Sequence, residues 1–105
     1  MKEVTVQELK KKKDDREDFQ LIDVREHHEY DICNIGGELI PMGEIMDNLD
    51  KISKDKTVII HCRSGGRSSA IIQALESQHS FTNLYNLKGG ILAYADQIDQ
   101  SLTKY

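Results

Sequence analysis

A cysteine that opens a glycine-rich loop is the most reactive arrangement in this sequence. The segment reads Cys-Arg-Ser-Gly-Gly-Arg-Ser and starts at Cys62. A thiol reacts as its thiolate, whose pKa is lowered by nearby positive charge and by a helix N-terminus. Glycines permit positive φ, so successive backbone N–H groups can turn inward around a sulfur atom or an oxyanion. The segment therefore predicts that Cys62 is a nucleophile that holds an anion.

The residues that follow Cys62 are the candidate substrate-binding group. They are Arg63, Ser64, Gly65, Gly66, Arg67 and Ser68. The two arginines place full positive charges near the mouth of the loop, where we expect them to recruit anionic donors. Both glycines are expected to let the backbone of the loop approach the bound group closely. A helix that starts near Ser68 would add unpaired N–H groups and the positive end of its dipole, worth ~0.3–1 kcal/mol.

The elements on either side of this loop are a strand and a helix. Thr57–His61 is β-branched and apolar, which is typical of a central strand covered on both faces. Apolar residues at helical spacing predict a helix from residue 68 to about residue 78. The loop with Cys62 would then lie at the carboxyl end of the strand, where ligands bind in parallel sheets.

Strands and helices alternate through the rest of the chain. Thr5 and Glu8 have the spacing of a capping box, which predicts a helix after a short first strand and ending before Asp14. Further strands are predicted at residues 19–24, 39–40 and 83–87, and further helices at 26–30, around 45–49 and at 91–98. The predicted fold class is α/β, with a mostly parallel sheet of about five strands and helices on both faces.

Composition restricts the classes of function. A chain of 105 residues predicts one domain, 1–105. The net charge of -4 provides no broad positive field for nucleic acid. No apolar run is long enough to span a bilayer and the first residues are polar, so we expect no membrane partner and a cytoplasmic protein. Two cysteines are too few for a disulfide scaffold, and both are expected to be reduced.

Other reactive side chains have simpler interpretations. Cys33 has no basic or glycine-rich neighbours, which favours a structural thiol. His27 and His28 point about 100° apart on a helix and have no second ligand cluster, so no metal site is predicted. His61 precedes Cys62 on a strand, and alternation sends it to the opposite face. We therefore expect a packed histidine and not a cysteine–histidine dyad.

Three segments resemble those of rhodanese-like domains. Residues 58–68 resemble the strand and active loop of that family, residues 21–26 its upstream strand motif, and residues 87–91 its closing Gly-Gly turn. Residues 30–33 and the stretch from 98 to 105 are most similar to the C-terminal rhodanese domains of ubiquitin-activating-like adenylyltransferases. The chain departs from the family at residues 34–38, where a Gly-His-Ile stretch is more usual.

The resemblance implies a three-layer rhodanese fold and a sulfurtransferase. Cys62 would carry sulfane sulfur as a persulfide, taken from thiosulfate or a persulfidated donor protein and passed to a thiol, cyanide or a sulfur-carrier protein. A ubiquitin-fold carrier or an adenylyltransferase of molybdopterin or thiolation chemistry would be a partner. Asp23 and Arg25 would support the loop. No metal or organic cofactor is required.

Two other functions remain open. A cysteine phosphatase or arsenate reductase shares the cysteine, the arginine and the helix N-terminus, but its signature has five residues between cysteine and arginine. Four residues lie between Cys62 and Arg67, which predicts a smaller cradle and disfavours a phosphatase. A rhodanese-fold interaction module without chemistry often lacks the cysteine, which this chain keeps.

Overall fold

The computed structural model describes all 105 residues and contains one five-stranded sheet. The strands are β1 (Glu3–Val4), β2 (Phe19–Asp23), β3 (Glu38–Leu39), β4 (Thr57–His61) and β5 (Leu84–Leu87). Their order across the sheet is β1-β5-β4-β2-β3, and every neighbouring pair is parallel. The α/β class and the parallel sheet of about five strands are confirmed.

The structure has four α-helices, of which three lie between strands and the fourth follows β5. They are α1 (Val6–Asp14), α2 (His27–Ile32), α3 (Gly66–His79) and α4 (Gly90–Gln97). The predicted capping box is present, since Glu8 N–H donates to the Thr5 hydroxyl and Thr5 N–H donates to the Glu8 carboxylate. The helices keep the predicted order, with ends that move by one or two residues. None of the four is long and apolar enough to cross a membrane.

The prediction of one amphipathic helix around residues 45–49 is wrong, because this part of the chain forms 3-10 helix. Two short 3-10 segments, Met42–Asp47 and Leu49–Lys51, take its place. They are separated by Asn48, whose backbone leaves the helical region at φ -129° and ψ 31°. The Asn48 side-chain amide donates to the Glu44 carbonyl, and this local bond competes with a continuing α-helix. Ile45 is nevertheless fully buried, as the apolar spacing predicted.

The two faces of the sheet bury two separate apolar clusters. Ile60 and Cys62 belong to the cluster that includes Ile72 of α3. Ile59 belongs to the other cluster, together with Leu9 of α1 and residues of α4. Side chains along β4 therefore alternate between the faces. This alternation places Cys62 on the α3 side of the sheet and His61 on the opposite side.

Candidate active site

The loop between β4 and α3 is short and sharply turned. Cys62 directly follows β4, and α3 begins only four residues later, at Gly66. Gly65 permits this turn with φ +113°, in the left-handed region that favours glycine. Gly66 does not share that conformation, because it is the first residue of α3 and has no positive φ. Gly65 therefore adopts the positive φ that the sequence allowed at both glycines, and Gly66 does not.

The sulfur of Cys62 lies against hydrogen-bond donors at the start of α3. Gly65 N–H donates to Cys62 Sγ at 3.1 Å, and Ser68 N–H does so at 3.5 Å. The Ser68 hydroxyl oxygen is 3.4 Å from the same sulfur. Only 1% of Cys62 is exposed, so the sulfur sits at the base of the loop. The arrangement is an N–H cradle that suits a sulfur anion.

Opposing effects set the pKa of Cys62. Burial raises it, whereas the Ser68 hydroxyl and the backbone N–H groups of Ser68, Gly65 and Ser64 lower it. The hydrogen bonds prevail, and the pKa of Cys62 is below its ordinary value. The cradle therefore increases the thiolate fraction near neutral pH.

Arg67 does not point freely toward the mouth of the loop. Its guanidinium donates two hydrogen bonds to Glu29 of α2, at 2.6 and 2.8 Å. The Glu29 side chain is only 8% exposed, and Arg67 holds the pKa of Glu29 well below its usual range. Arg67 still attracts the Cys62 thiolate electrostatically. The structure therefore brings Arg67 to the site with its charge paired, which sequence reasoning did not predict.

Tyr105 connects the charged groups beside the loop. Its hydroxyl donates to Glu29 at 2.7 Å and accepts from Arg25 at 2.8 Å. The Arg63 guanidinium lies 5.0 Å from the centroid of the Tyr105 ring. Arg63 forms no ion pair, and its buried Nε has no hydrogen-bond partner. Arg63 is therefore the loop cation whose charge no carboxylate neutralises.

A buried ion pair lies at the end of β2, next to β4. Asp23 and Arg25 are both fully buried and meet at 2.8 Å. Arg25 also donates to the carbonyls of Glu29 and Cys33, which ties the end of β2 to α2. His61 Nε2 lies 3.6 Å from Asp23, but burial lowers the pKa of His61 and favours its neutral form. These contacts join the end of β2 to α2 and to the end of β4, beside the loop.

The Gly-Gly turn before α4 packs directly on the loop. Ile91 N–H donates to the Cys62 carbonyl, and Leu92 N–H donates to the Arg63 carbonyl, both at 3.1 Å. A Cβ at Gly90 would lie 2.5 Å from the Arg63 carbonyl oxygen, so only glycine permits this approach. The turn therefore holds the backbone of the loop in place.

The remaining candidates lie apart from the loop. Cys33 is a free thiol buried in the apolar cluster on the α1 and α4 side. His27 and His28 are exposed. No group of three or more potential metal ligands occurs in the structure.

Sequence reasoning missed three residues at the site: Glu29, Asn86 and Tyr105. Asn86 carried a signal, because it is a polar residue inside the apolar strand β5 and close to that strand's carboxyl end. Glu29 has capping-box spacing to Glu26, which gives a local reason for a carboxylate there. No local pattern marked Tyr105.

Comparison with known proteins shows which family carries this loop. A family model described as the rhodanese-like domain matches residues 5–97. The chain belongs to the rhodanese-like domain family. Family membership and the site's geometry together support a sulfur-transfer role.

Curated relatives of this rhodanese-like chain are longer proteins. Rhodanese-like/PpiC domain-containing protein 12 of Arabidopsis thaliana is 34% identical over 100% of the chain and 38% of its own length. The probable adenylyltransferase/sulfurtransferase MoeZ of Mycobacterium tuberculosis is 34% identical over 97% of the chain and 26% of its own length. The chain thus spans only about a quarter to two-fifths of these relatives.

Solved structures share the rhodanese-like fold. A rhodanese-like domain protein from Staphylococcus aureus has a TM-score of 0.83 and 34% identity, covering 93% of this chain and 95% of that one. A thiosulfate sulfurtransferase from Pseudomonas aeruginosa has a TM-score of 0.79 at 21% identity, covering 90% of this chain and 19% of that one. At this lower identity the likeness concerns the fold alone.

Proposed function

We propose that this chain is a sulfurtransferase of the thiosulfate sulfurtransferase type, in which Cys62 carries sulfane sulfur as a persulfide. The observation that supports it is the cradle of N–H groups at the start of α3 that contacts Cys62 Sγ. Such donors stabilise negative charge on sulfur without reorganisation. The substrate-binding group is the remainder of the loop, residues 63–68.

In the first half-reaction the Cys62 thiolate attacks the outer sulfur of thiosulfate. A new S–S bond forms, the S–S bond of thiosulfate breaks, and its electron pair leaves on sulfite. Cys62 then carries one additional sulfur, which bears the negative charge. A persulfidated protein donor would react in the same way, with a protein thiolate as the leaving group.

In the second half-reaction an acceptor removes the outer sulfur. Cyanide attacks that sulfur, thiocyanate forms, and the electron pair of the broken S–S bond returns to Cys62 as thiolate. A thiol acceptor would leave with the sulfur as a persulfide. The named sulfurtransferases among the relatives include MoeZ and the adenylyltransferase and sulfurtransferase UBA4. An activated carboxylate of a ubiquitin-fold carrier would be a third acceptor. The outer sulfur of the persulfide attacks its carbonyl carbon and the activating group leaves, and two thiols then reduce the resulting acyl disulfide, so that the carrier leaves as a thiocarboxylate, Cys62 returns to a thiol and the two thiols become a disulfide. An adenylyltransferase partner and action in the cytoplasm, within one rhodanese-like unit, also belong to the proposal.

The two arginines of the loop differ in their charged neighbours, and the proposal gives them different roles. Arg63 has no carboxylate partner and is the group that attracts anionic donors such as thiosulfate. Arg67 is paired with Glu29, so it helps to set the charge around Cys62 and contributes less to donor capture.

Intact mass spectrometry under non-denaturing conditions tests this function. After incubation with thiosulfate, the protein should gain the mass of one sulfur atom, and cyanide should remove it with release of thiocyanate. Cys62→Ser should abolish both the added mass and the sulfur transfer while circular dichroism shows an unchanged fold. Cys33→Ala is the matched control, because this second buried thiol lies outside the cradle and should retain activity. Substantial turnover by Cys62→Ser would contradict the proposal.

A further inference from the structure

The hydroxyl of Ser68 faces more hydrogen-bond acceptors than it has protons. Its oxygen lies 2.5 Å from Asn86 Oδ1, 3.2 Å from the Gly65 carbonyl and 3.4 Å from Cys62 Sγ. A serine hydroxyl has one proton to donate and two lone pairs that can accept. The shortest of the three contacts is to Asn86, which therefore competes with the sulfur for the single proton of the hydroxyl.

Asn86 reaches the loop from the neighbouring strand. It lies on β5, paired with Ile60 of β4, and is only 5% exposed. Its side-chain Nδ2 donates to the Gly65 carbonyl at 3.3 Å, while Oδ1 accepts from Ser68. These two contacts use both ends of the amide and define its orientation. Asn86 therefore touches two of the residues whose donors surround Cys62, Gly65 and Ser68, although it does not contact the sulfur.

We propose that Asn86 is a positioning residue that competes with the Cys62 thiolate for the single proton of Ser68. In the thiol form, Ser68 donates to Asn86 and its lone pair accepts the Cys62 proton. After deprotonation, the hydroxyl either keeps its bond to Asn86 or turns toward the sulfur. Asn86 limits that turn, so it weakens the hydrogen bond from the Ser68 hydroxyl to the anion and increases the share that the backbone N–H groups of Gly65 and Ser68 contribute. The inference rests on the proposed function only in taking Cys62 as the nucleophile.

The other charged and titratable groups around Cys62 come from several elements. They are Arg63 of the loop, Arg67 of α3 with Glu29 of α2, His61 of β4, Asp23 and Arg25 at the end of β2, and Tyr105. The side chain of Asn86 forms hydrogen bonds to none of them. A substitution at Asn86 therefore leaves these charges in place and acts through Ser68 and Gly65.

Two substitutions at Asn86 test the proposal because they should have opposite effects. In Asn86→Leu the acceptor is lost, the Ser68 proton is free to reach the thiolate, and the thiolate fraction at acidic pH rises. If this new bond from Ser68 to the thiolate has the strength of an ordinary hydrogen bond, alkylation of Cys62 at acidic pH should speed up about threefold to tenfold. In Asn86→Asp the acceptor becomes an anion that holds the proton more strongly and repels the thiolate, so alkylation slows. A merely structural role would move both variants in the same direction.

The measurement is the pH dependence of iodoacetamide alkylation in a Cys33→Ala background, so that one thiol reacts. In a Ser68→Ala background, Asn86→Leu should no longer speed the reaction, because the proton is absent. Asn83→Leu is the matched control, since this asparagine binds the carbonyls of Ser53 and Lys56 and should leave the profile unchanged. An acceleration that persists without the Ser68 hydroxyl, or slower alkylation in both Asn86 variants, would overturn the proposal. Alkylation needs no sulfur transfer, so this result is independent of whether Cys62 carries sulfur.

Discussion

Arg67 and Glu29 form a two-bond ion pair that joins the first turn of α3 to α2. Nη1 of Arg67 donates to Oε1 of Glu29 at 2.6 Å and Nη2 donates to Oε2 at 2.8 Å, and the pair lies beside the loop of Cys62. Arg67 is 34% exposed and Glu29 8% exposed at the side chain, so solvent screens the pair only in part. The charge that Cys62 experiences therefore depends on two residues and not on Arg67 alone.

Arg67→Ala should raise the pKa of Cys62. The substitution removes a positive charge that attracts the thiolate and leaves the Glu29 carboxylate without its partner. Alkylation of Cys62 at pH 6 should slow about threefold or more. Glu29→Gln should have the opposite effect, because it leaves the charge of Arg67 unpaired. In the double variant the pKa of Cys62 should lie between the values of the two single variants. A lower pKa of Cys62 in Arg67→Ala would contradict this account.

Acid should weaken the fold partly through Glu29. Arg67 depresses the folded-state pKa of Glu29, so the ionised pair stabilises the fold above the unfolded-state pKa of about 4.3. That contribution is lost as the pH falls through the folded-state value. Urea unfolding should therefore show that the free energy of unfolding of wild type exceeds that of Glu29→Gln. This difference should be largest near pH 6 and should decrease below about pH 4. A difference that does not change with pH would show that the pair adds no such stability.

The two glycines of the loop should tolerate alanine differently. Gly65→Ala forces a side chain into φ +113°, a strain that costs about 1–3 kcal/mol, and displaces the N–H group that contacts Cys62. We expect sulfur transfer to fall at least about tenfold, which corresponds to ~1.4 kcal/mol. Gly66→Ala is the control, because alanine keeps the backbone N–H with which Gly66 would bind substrate, a Cβ there meets no atom within 4 Å and helices favour alanine. Equal losses in the two variants would disprove a special role for the Gly65 conformation.

Arg63→Ala should weaken the capture of anionic donors. Arg63 is the loop cation without a carboxylate partner, so its removal should raise KM for thiosulfate about tenfold, with a smaller change in kcat. Added salt should raise KM in wild type more than in the variant. Arg16→Ala removes an exposed positive charge between α1 and β2, at the amino end of the parallel strands and so opposite the end where the Cys62 loop lies, and should leave KM unchanged. A similar rise in both variants would point to net charge and not to Arg63.

Features that depend on neighbouring residues could be predicted from the sequence. The Thr5–Glu8 capping box, the strand Thr57–His61 and the loop that opens at Cys62 each follow from residue types at short spacing. The parallel sheet also followed, because alternating strands and helices leave few other arrangements. The helix around Ile45 was wrong because apolar spacing does not distinguish an α-helix from short 3-10 segments interrupted by Asn48.

The surroundings of the Cys62 loop were decided by the tertiary structure. Glu29 pairs with Arg67 across 38 residues of sequence, Tyr105 reaches Glu29 across 76, and Asn86 reaches Ser68 across 18. Each contact exists because two elements pack side by side, and a charged or amide side chain has no periodicity that reveals its distant partner. The sequence alone determined that a cysteine would sit in a cradle between a strand and a helix. Only the packed fold determined that Arg67 is neutralised, that Arg63 is not, and that Asn86 lies within reach of the Ser68 proton, because those outcomes depend on distances across the sheet.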